Sequence, residues 1–283
     1  MKIGIVGLGL IGGCLGLEFR AVGHQVIGVA RRARTCEQAL AAQIVDVASI
    51  ELTALQPCEV VFVCTPIAAI VPTVTQLAKV LASNAIVTDV GSVKAAIVEA
   101  ATERWPLFVG GHPMSGKSEA GIEAAEKGLF QGNAYVITPV DAGSTKTDKQ
   151  AIAVLEQLTQ QLGSRLYHCT PQAHDRAVAW ISHLPVMVSS SLISAAVHEP
   201  DEGVQKLSQA LASSGFRDTS RVGGGNPELG LMMAQYNRTE VLRSLKRYQQ
   251  EIAHTIEQLE TEDWPQLAHK LESTKSARAS FLA

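Results

Sequence analysis

The chain is poor in cysteine and nearly balanced in charge, and it lacks any obvious leader. Its five cysteines, at 14, 36, 58, 64 and 169, are scattered, odd in number and never spaced as CxxC. That argues against a disulfide framework or a zinc site and favours a reducing compartment. The formal net charge of −3 gives no basic surface of the kind nucleic acid requires. No apolar run reads as long enough to span a membrane. Met1 leads into a strand-like segment without a charged region or cleavage signal. These absences predict a cytoplasmic protein that holds no metal and meets neither nucleic acid nor membrane. With 46% hydrophobic residues among 283, the chain can bury a substantial core.

What is present is a repeated alternation of short apolar strands and helices. "KIGIVG", "QVIGVA", "EVVFVC", "AIVTDV", "LFVGG" and "AYVIT" are rich in valine and isoleucine and nearly apolar throughout. That pattern suits a parallel sheet covered on both faces, a doubly wound α/β domain. A helix around 148–162 and a strand "RLYHC" close it. From Thr170-Pro171, an N-cap followed by proline at the first helical position, only helical periodicity continues. The predicted domains are therefore 1–168, of Rossmann type, and 169–283, all-helical. So much apolar helical surface predicts a homodimer through the second domain. Pro185 should kink the long helix that begins there.

"GLGLIG" sets Gly7, Gly9 and Gly12 in GxGxxG spacing between the first strand and the first helix. Gly7 permits a tight turn, Gly9 close approach to a pyrophosphate, and Gly12 close packing of helix on strand. The helix N-terminus, at Leu10 and Ile11, offers unpaired N–H groups to an anion. An NAD site would carry an acid at the end of the second strand, to accept from the ribose hydroxyls. Here the strand ends at Ala30, Arg31 and Arg32 follow, and no acid comes before Glu37. Guanidinium forks match a phosphate dianion, so this loop, with Thr35, predicts NADP. Thr65, in "VCTPI" past the third of these strands, is a possible cofactor neighbour; a plain helix start explains it equally well.

Two further strand ends carry chemistry. "TDVGSVK" holds Asp89, Ser92 and Lys94, and "GGHPMSG" holds His112. Both should open onto the crevice beyond the carboxyl ends of the strands. A histidine there suits general base work, with the Ser92 hydroxyl orienting it or binding the substrate oxygen. In the helical half, "AHDRAVAWISHLP" carries His174, Ser182 and His183, and His183 turns to a different face, which suggests a structural role. "SSGFRDTSRVGGGNPEL" carries Arg217, Asp218 and Arg221 in a glycine-rich loop suited to clamping a carboxylate.

Together, "GLGLIGG", "CTP", "TDVGSVK", "GGHPMSG", "HDRAVAWISHLP" and "SSGFRDTSRVGGGNPEL" resemble the TyrA family of prephenate and arogenate dehydrogenases. The likeness is nearest to the NADP-dependent arogenate enzymes of cyanobacterial type. It implies oxidative decarboxylation of L-arogenate to L-tyrosine with hydride transfer to NADP⁺. It implies that His112 accepts the proton of the ring hydroxyl and that Ser92 bonds near it. It implies that Arg221 holds the ring carboxylate, that Arg217 and Asp218 shape the loop, and that His174 and Ser182 line the substrate wall. Val186 stands where many prephenate-using relatives carry a histidine, which fits a substrate bearing an ammonium group. A prephenate dehydrogenase is the nearest alternative reading. A β-hydroxyacid dehydrogenase fits less well, because Lys206 and Lys246 lack a convincing catalytic motif. A non-catalytic NADP sensor has no need of a base such as His112.

Overall fold

The computed structural model describes residues 1–117, 119–140 and 147–282. The chain divides into two compact units, Met1–Asn237 and Arg238–Ala283.

The first unit is built on an eight-stranded sheet: β1 (Lys2–Val6), β2 (Gln25–Val29), β3 (Val47–Ser49), β4 (Val60–Val63), β5 (Ile86–Asp89), β6 (Phe108–Pro113), β7 (Ala134–Thr138) and β8 (Arg165–His168). Their order is β3-β2-β1-β4-β5-β6-β7-β8. The first six strands are parallel and reverse direction of travel at β1/β4, the switch point of a doubly wound sheet. The helices are α1 (Leu10–Ala21), α2 (Ala33–Ala41), α3 (Ile67–Leu77), α4 (Ala95–Arg104) and α5 (Lys149–Gln161), then α6 (Pro171–Val178), α7 (Leu184–Val197), α8 (Glu202–Leu211), α9 (Ser214–Ser220) and α10 (Pro227–Tyr236).

Strand β4 shows why near-continuous apolar runs form this sheet. All four of its residues are buried, and they alternate between the two faces. Val60 and Phe62 pack with Ile3, Leu15 and Phe19 on one side, and Val61 and Val63 with Ile70 and Phe108 on the other. A strand's side-chain period of two sends neighbours to opposite faces, so a strand covered twice must be apolar throughout.

The expectation of a wholly parallel sheet fails at one place. β7 runs antiparallel to β6, with His112 opposite Val136. Among the described residues only a 3₁₀ turn, Ile122–Ala124, lies between those strands. Without a crossover helix the chain returns along the neighbouring edge. α5 then carries it over to β8, which pairs parallel with β7. β3 is a three-residue edge strand whose pattern is too short and too exposed to read from sequence.

Beyond β8 the described residues are helical, as expected. Thr170 Oγ1 accepts the N–H of Ala173 at 3.2 Å, and Pro171 takes the first helical position. The kink expected near Pro185 takes the form of a π-helical turn, Ala179–His183, between α6 and α7. Proline lacks the N–H that an α-helical turn would use, and a wide turn absorbs the mismatch. The run Pro171–Val197 is long and apolar enough, by length and composition, to cross a membrane. This corrects the expectation that no run is. Its polar groups His174, Asp175 and His183 are buried and hydrogen-bonded within the first unit.

The second unit pairs α11 (Arg238–Glu260) with α12 (Trp264–Leu282). The segment "STKSARASFLA", which reads as a polar tail, is thus helical over its described residues. Lys270 Nζ donates to Thr255 Oγ1 at 2.8 Å and lies 3.5 Å from Glu251, which joins the two helices. Leu242, Ile252, Ile256, Leu259 and Leu271 are exposed along them.

Candidate active site

The glycine turn has the geometry of an anion cradle. Gly7 sits at φ +101°, and a Cβ there would lie 2.6 Å from the Cys64 carbonyl oxygen. A Cβ on Gly12 would lie 2.1 Å from the Gly7 carbonyl oxygen, so α1 can approach β1 only with glycine here. A Cβ on Gly9 would meet nothing within 4 Å, which leaves open space directly above the start of α1. The first helical bond is Gly13 N–H to Gly9 O at 2.8 Å. The N–H groups of Leu10, Ile11 and Gly12 therefore precede the helical ladder and face that space. The combination fits a pyrophosphate.

Arg31 and Arg32 follow β2 and are exposed, and Thr35 is half-buried in the first turn of α2. Arg34 is exposed beside them, and its charge acts on Glu123, a neighbour that also accepts from Gln38 at 2.8 Å. Thr65 Oγ1, past the end of β4, is buried and has no hydrogen-bond partner. A buried hydroxyl without a partner is costly unless a ligand or water satisfies it.

His112 lies at the end of β6 and is 8% exposed. Its Nδ1 is 2.8 Å from His174 Nε2, with the rings at 69°. His174 Nδ1 is in turn 2.8 Å from Asp175 Oδ1. Asp175 also accepts the N–H groups of Lys94 (2.7 Å) and Ala95 (2.8 Å), at the entry to α4. Burial, then His174, Lys94 and His183, hold His112 well below the ordinary imidazole range. The ring is therefore neutral near pH 7, as a proton acceptor must be.

A second set of bonds fixes the strand that carries His112. Lys94 Nζ pairs with Asp89 and donates to Gly111 O at 2.8 Å. Asp89 accepts from Gly91 N (2.9 Å) and Gly111 N (3.2 Å). Burial pulls the Lys94 ammonium down, and Asp89 and Asp175 push it back. The pair ties β5 to β6 one residue before His112.

Ser92 Oγ is buried and has no hydrogen-bond partner. His183 is fully buried; its Nδ1 meets Asn237 Nδ2 at 3.1 Å, its Nε2 has no partner, and the Ser92 backbone faces the ring. Burial lowers the His183 pKa to about 4. The geometry thus brings His112, His174, His183 and the Ser92 loop together. It seats His174, 2% exposed, behind His112, with both ring nitrogens engaged, and not on an open wall. Ser182 is half-buried in the π turn, and Val186 is half-buried on α7.

The arginine loop is arranged differently. Arg217 and Asp218 pair with each other at 3.1 Å and are mostly exposed, and Arg221 is exposed at the end of α9. None of the three is bonded to the His112 cluster. The loop is nonetheless seated on α7. Ser189 Oγ donates to Thr219 O at 2.9 Å and accepts from Gly223 N at 2.8 Å. A Cβ at Gly223 would lie 2.3 Å from Ser190 N, so only glycine allows this approach.

Sequence reasoning missed Asp175, Asn237, Ser189 and Ser115. Ser115 Oγ, three residues beyond His112, is buried without a partner. Asp175 had one signal, an acid directly after His174 in a segment already singled out. Among the described residues no cluster of His, Cys, Asp and Glu could hold a metal ion.

A glycine cradle at the switch point of a doubly wound sheet, with a neutral buried histidine at the end of another strand of the same sheet, has the parts of a nucleotide-dependent dehydrogenase. Residues 15–168 match the nucleotide-binding domain of prephenate dehydrogenase, and residues 170–273 match its dimerization domain. The chain belongs to this family, the TyrA dehydrogenases, whose reaction is an oxidative decarboxylation. It is 31% identical to the prephenate dehydrogenase of Bacillus subtilis (strain 168) over 97% of this chain and 74% of that protein. It is 50% identical to the crystal structure of Synechocystis arogenate dehydrogenase, with a TM-score of 0.89 over 99% of this chain and 100% of that one. The fold also matches a prephenate dehydrogenase from A. aeolicus, solved with hydroxyphenyl propionate and NAD⁺, at 24% identity and a TM-score of 0.92 over 99% of this chain and 98% of that one.

Proposed function

We propose that the protein converts L-arogenate and NADP⁺ to L-tyrosine, NADPH and CO₂. The observation that carries the chemistry is the neutral, buried His112, held from behind by His174, with the partnerless Ser92 hydroxyl in the loop that Asp175 caps. His112 Nε2 takes the proton of the ring C4 hydroxyl, and the Ser92 hydroxyl bonds the same oxygen. The nicotinamide, when bound, supplies the acceptor for the hydride that leaves C4. With the C4 oxygen now a carbonyl, the ring carboxylate departs as CO₂, and the proton on His112 returns to the phenolic oxygen. Aromatisation drives the step.

Gly7, Gly9, Leu10, Ile11 and Gly12 are the residues that would hold the pyrophosphate, and Thr65 lies beside it. Arg31, Arg32 and Thr35 would meet a 2′-phosphate, since the loop offers free guanidinium groups and no acid before Glu37. Arg221 would hold the ring carboxylate, with Arg217 and Asp218 shaping its loop and Ser182 near the substrate. Val186 puts no histidine cation at its own position, which favours an amino acid side chain over a pyruvyl one. Likeness to the Synechocystis arogenate enzyme supports the same choice. Prephenate, the substrate in the names of the Bacillus subtilis and A. aeolicus relatives, is the alternative.

We read residues 1–168 as the cofactor domain and 169–283 as a substrate and dimerisation domain, assembled as a homodimer. The family's dimerization domain and the exposed leucines and isoleucines of α11 and α12 support the dimer. Five unpaired cysteines support a cytoplasmic setting.

The test is a two-by-two steady-state assay of arogenate or prephenate with NADP⁺ or NAD⁺. Turnover chiefly with arogenate and NADP⁺ is the expected result. Dominant prephenate turnover overturns the substrate, NAD⁺ preference overturns the cofactor, and silence in all four overturns the activity.

A further inference from the structure

We infer that Asp175 and His174 are positioning residues that set the tautomer of His112 and tie it to the loop carrying Ser92. The inference rests on the reading of His112 as the base.

The logic follows from donors and acceptors along one line. The Asp175 carboxylate only accepts, so the His174 Nδ1 it faces at 2.8 Å carries the hydrogen. With that hydrogen alone on the ring, His174 Nε2 is bare. The His112 Nδ1 that faces it at 2.8 Å must therefore be the donor. That leaves His112 Nε2 bare and able to accept a proton. Without the chain, the two neutral tautomers of His112 compete, and the one with hydrogen on Nε2 cannot act as a base. When His112 takes a proton, the positive ring donates through Nδ1 to His174, and the carboxylate two bonds away stabilises the charge.

Asp175 has a second duty. Its two oxygens accept from Lys94 and Ala95, which follow Ser92 in the same loop. One carboxylate thus fixes the orientation of the base and the loop that carries the Ser92 hydroxyl. Neither residue needs to touch substrate: both are nearly fully buried, at 2% and 4% exposure.

Three substitutions test this. Asp175→Ala removes the acceptor, so the hydrogens of His174 and His112 are no longer held to one nitrogen. His174→Phe cuts the chain and leaves Asp175 capping the loop. His174→Gln cuts it too, but keeps a carbonyl oxygen within reach of His112 Nδ1. Expected are losses of kcat of about 10²- to 10⁴-fold in Asp175→Ala and His174→Phe. KM for NADP⁺ should stay within about threefold, and His174→Gln should recover about tenfold or more over His174→Phe. In the ligand-free wild-type protein, ¹⁵N NMR of labelled histidine should show His112 protonated on Nδ1, and Asp175→Ala should show a mixture of the two tautomers.

His112 bare at Nδ1 in the wild type overturns the inference. So does kcat within about threefold of wild type in His174→Phe, or equal losses in His174→Phe and His174→Gln. The tautomer is read without substrate, so its failure is distinct from failure of the base itself. The latter would show as full turnover in His112→Ala.

Discussion

Lys94 and Asp89 form an ion pair in which neither side chain is exposed. The pair holds the end of β5 against Gly111, so the strand that presents His112 is pinned by charge as well as by the sheet. Removing one partner strands a buried charge, which typically costs about 3–5 kcal/mol. Lys94→Met should lower unfolding stability by that order, measured by urea denaturation at pH 7. A loss below about 1 kcal/mol would mean the site relaxes enough to hydrate or protonate Asp89.

The basic loop after β2 sets a second expectation. Two charge-assisted bonds to a phosphate are worth about 1.5–3 kcal/mol each. Arg31→Ala with Arg32→Ala should therefore reduce the preference for NADP⁺ over NAD⁺ roughly a hundredfold or more, through KM. Equal effects on the two cofactors would show that both guanidinium groups point into solvent.

Buried neutral histidines make stability depend on pH. His183 falls from an ordinary 6.5 to about 4 in the folded chain. Between those values the unfolded chain binds more protons than the folded one, so stability drops as pH falls. His112, also depressed, acts in the same direction. Thermal unfolding should move to lower temperature as pH falls from 6.5 to 4, and the slope should be shallower in His183→Gln. An unchanged slope in that variant would place the linkage elsewhere.

The parts of this molecule that could be read from sequence are the local ones. Gly7, Gly9 and Gly12 act within one turn, so their spacing, between a strand pattern and a helix pattern, pointed to the cradle. Thr170 caps α6 through a bond only three residues along the chain, with Pro171 at its first position, and they too were legible. Asp175 was not, because its partners Lys94 and Ala95 lie some eighty residues earlier and meet it only when α6 packs against α4. His174 was visible as a histidine on a helix, but helical periodicity does not say which neighbour the face meets. Its place behind His112 follows from tertiary packing. The reversal of β7 depended on what fills the connection from β6, and a strand's composition carries no direction.

Substrate choice gives the last prediction. Val186 lies on α7, across from Gly230 of α10. A Cβ built at Gly230 would lie 3.4 Å from Val186 Cγ1, so the side chain at 186 occupies the gap between the two helices. A histidine there would add a donor and, when protonated, a positive charge. It would repel the ammonium of arogenate and offer a bond to the pyruvyl carbonyl or carboxylate of prephenate. Val186→His should raise the ratio of prephenate to arogenate turnover, measured as kcat/KM, by about tenfold for each 1.4 kcal/mol of new discrimination. The added volume should cost about 1–3 kcal/mol of stability, which a parallel denaturation curve separates from the change in ratio. A ratio unmoved in a folded variant would remove position 186 from the specificity determinants and return the choice to the loop of Arg217 and Arg221.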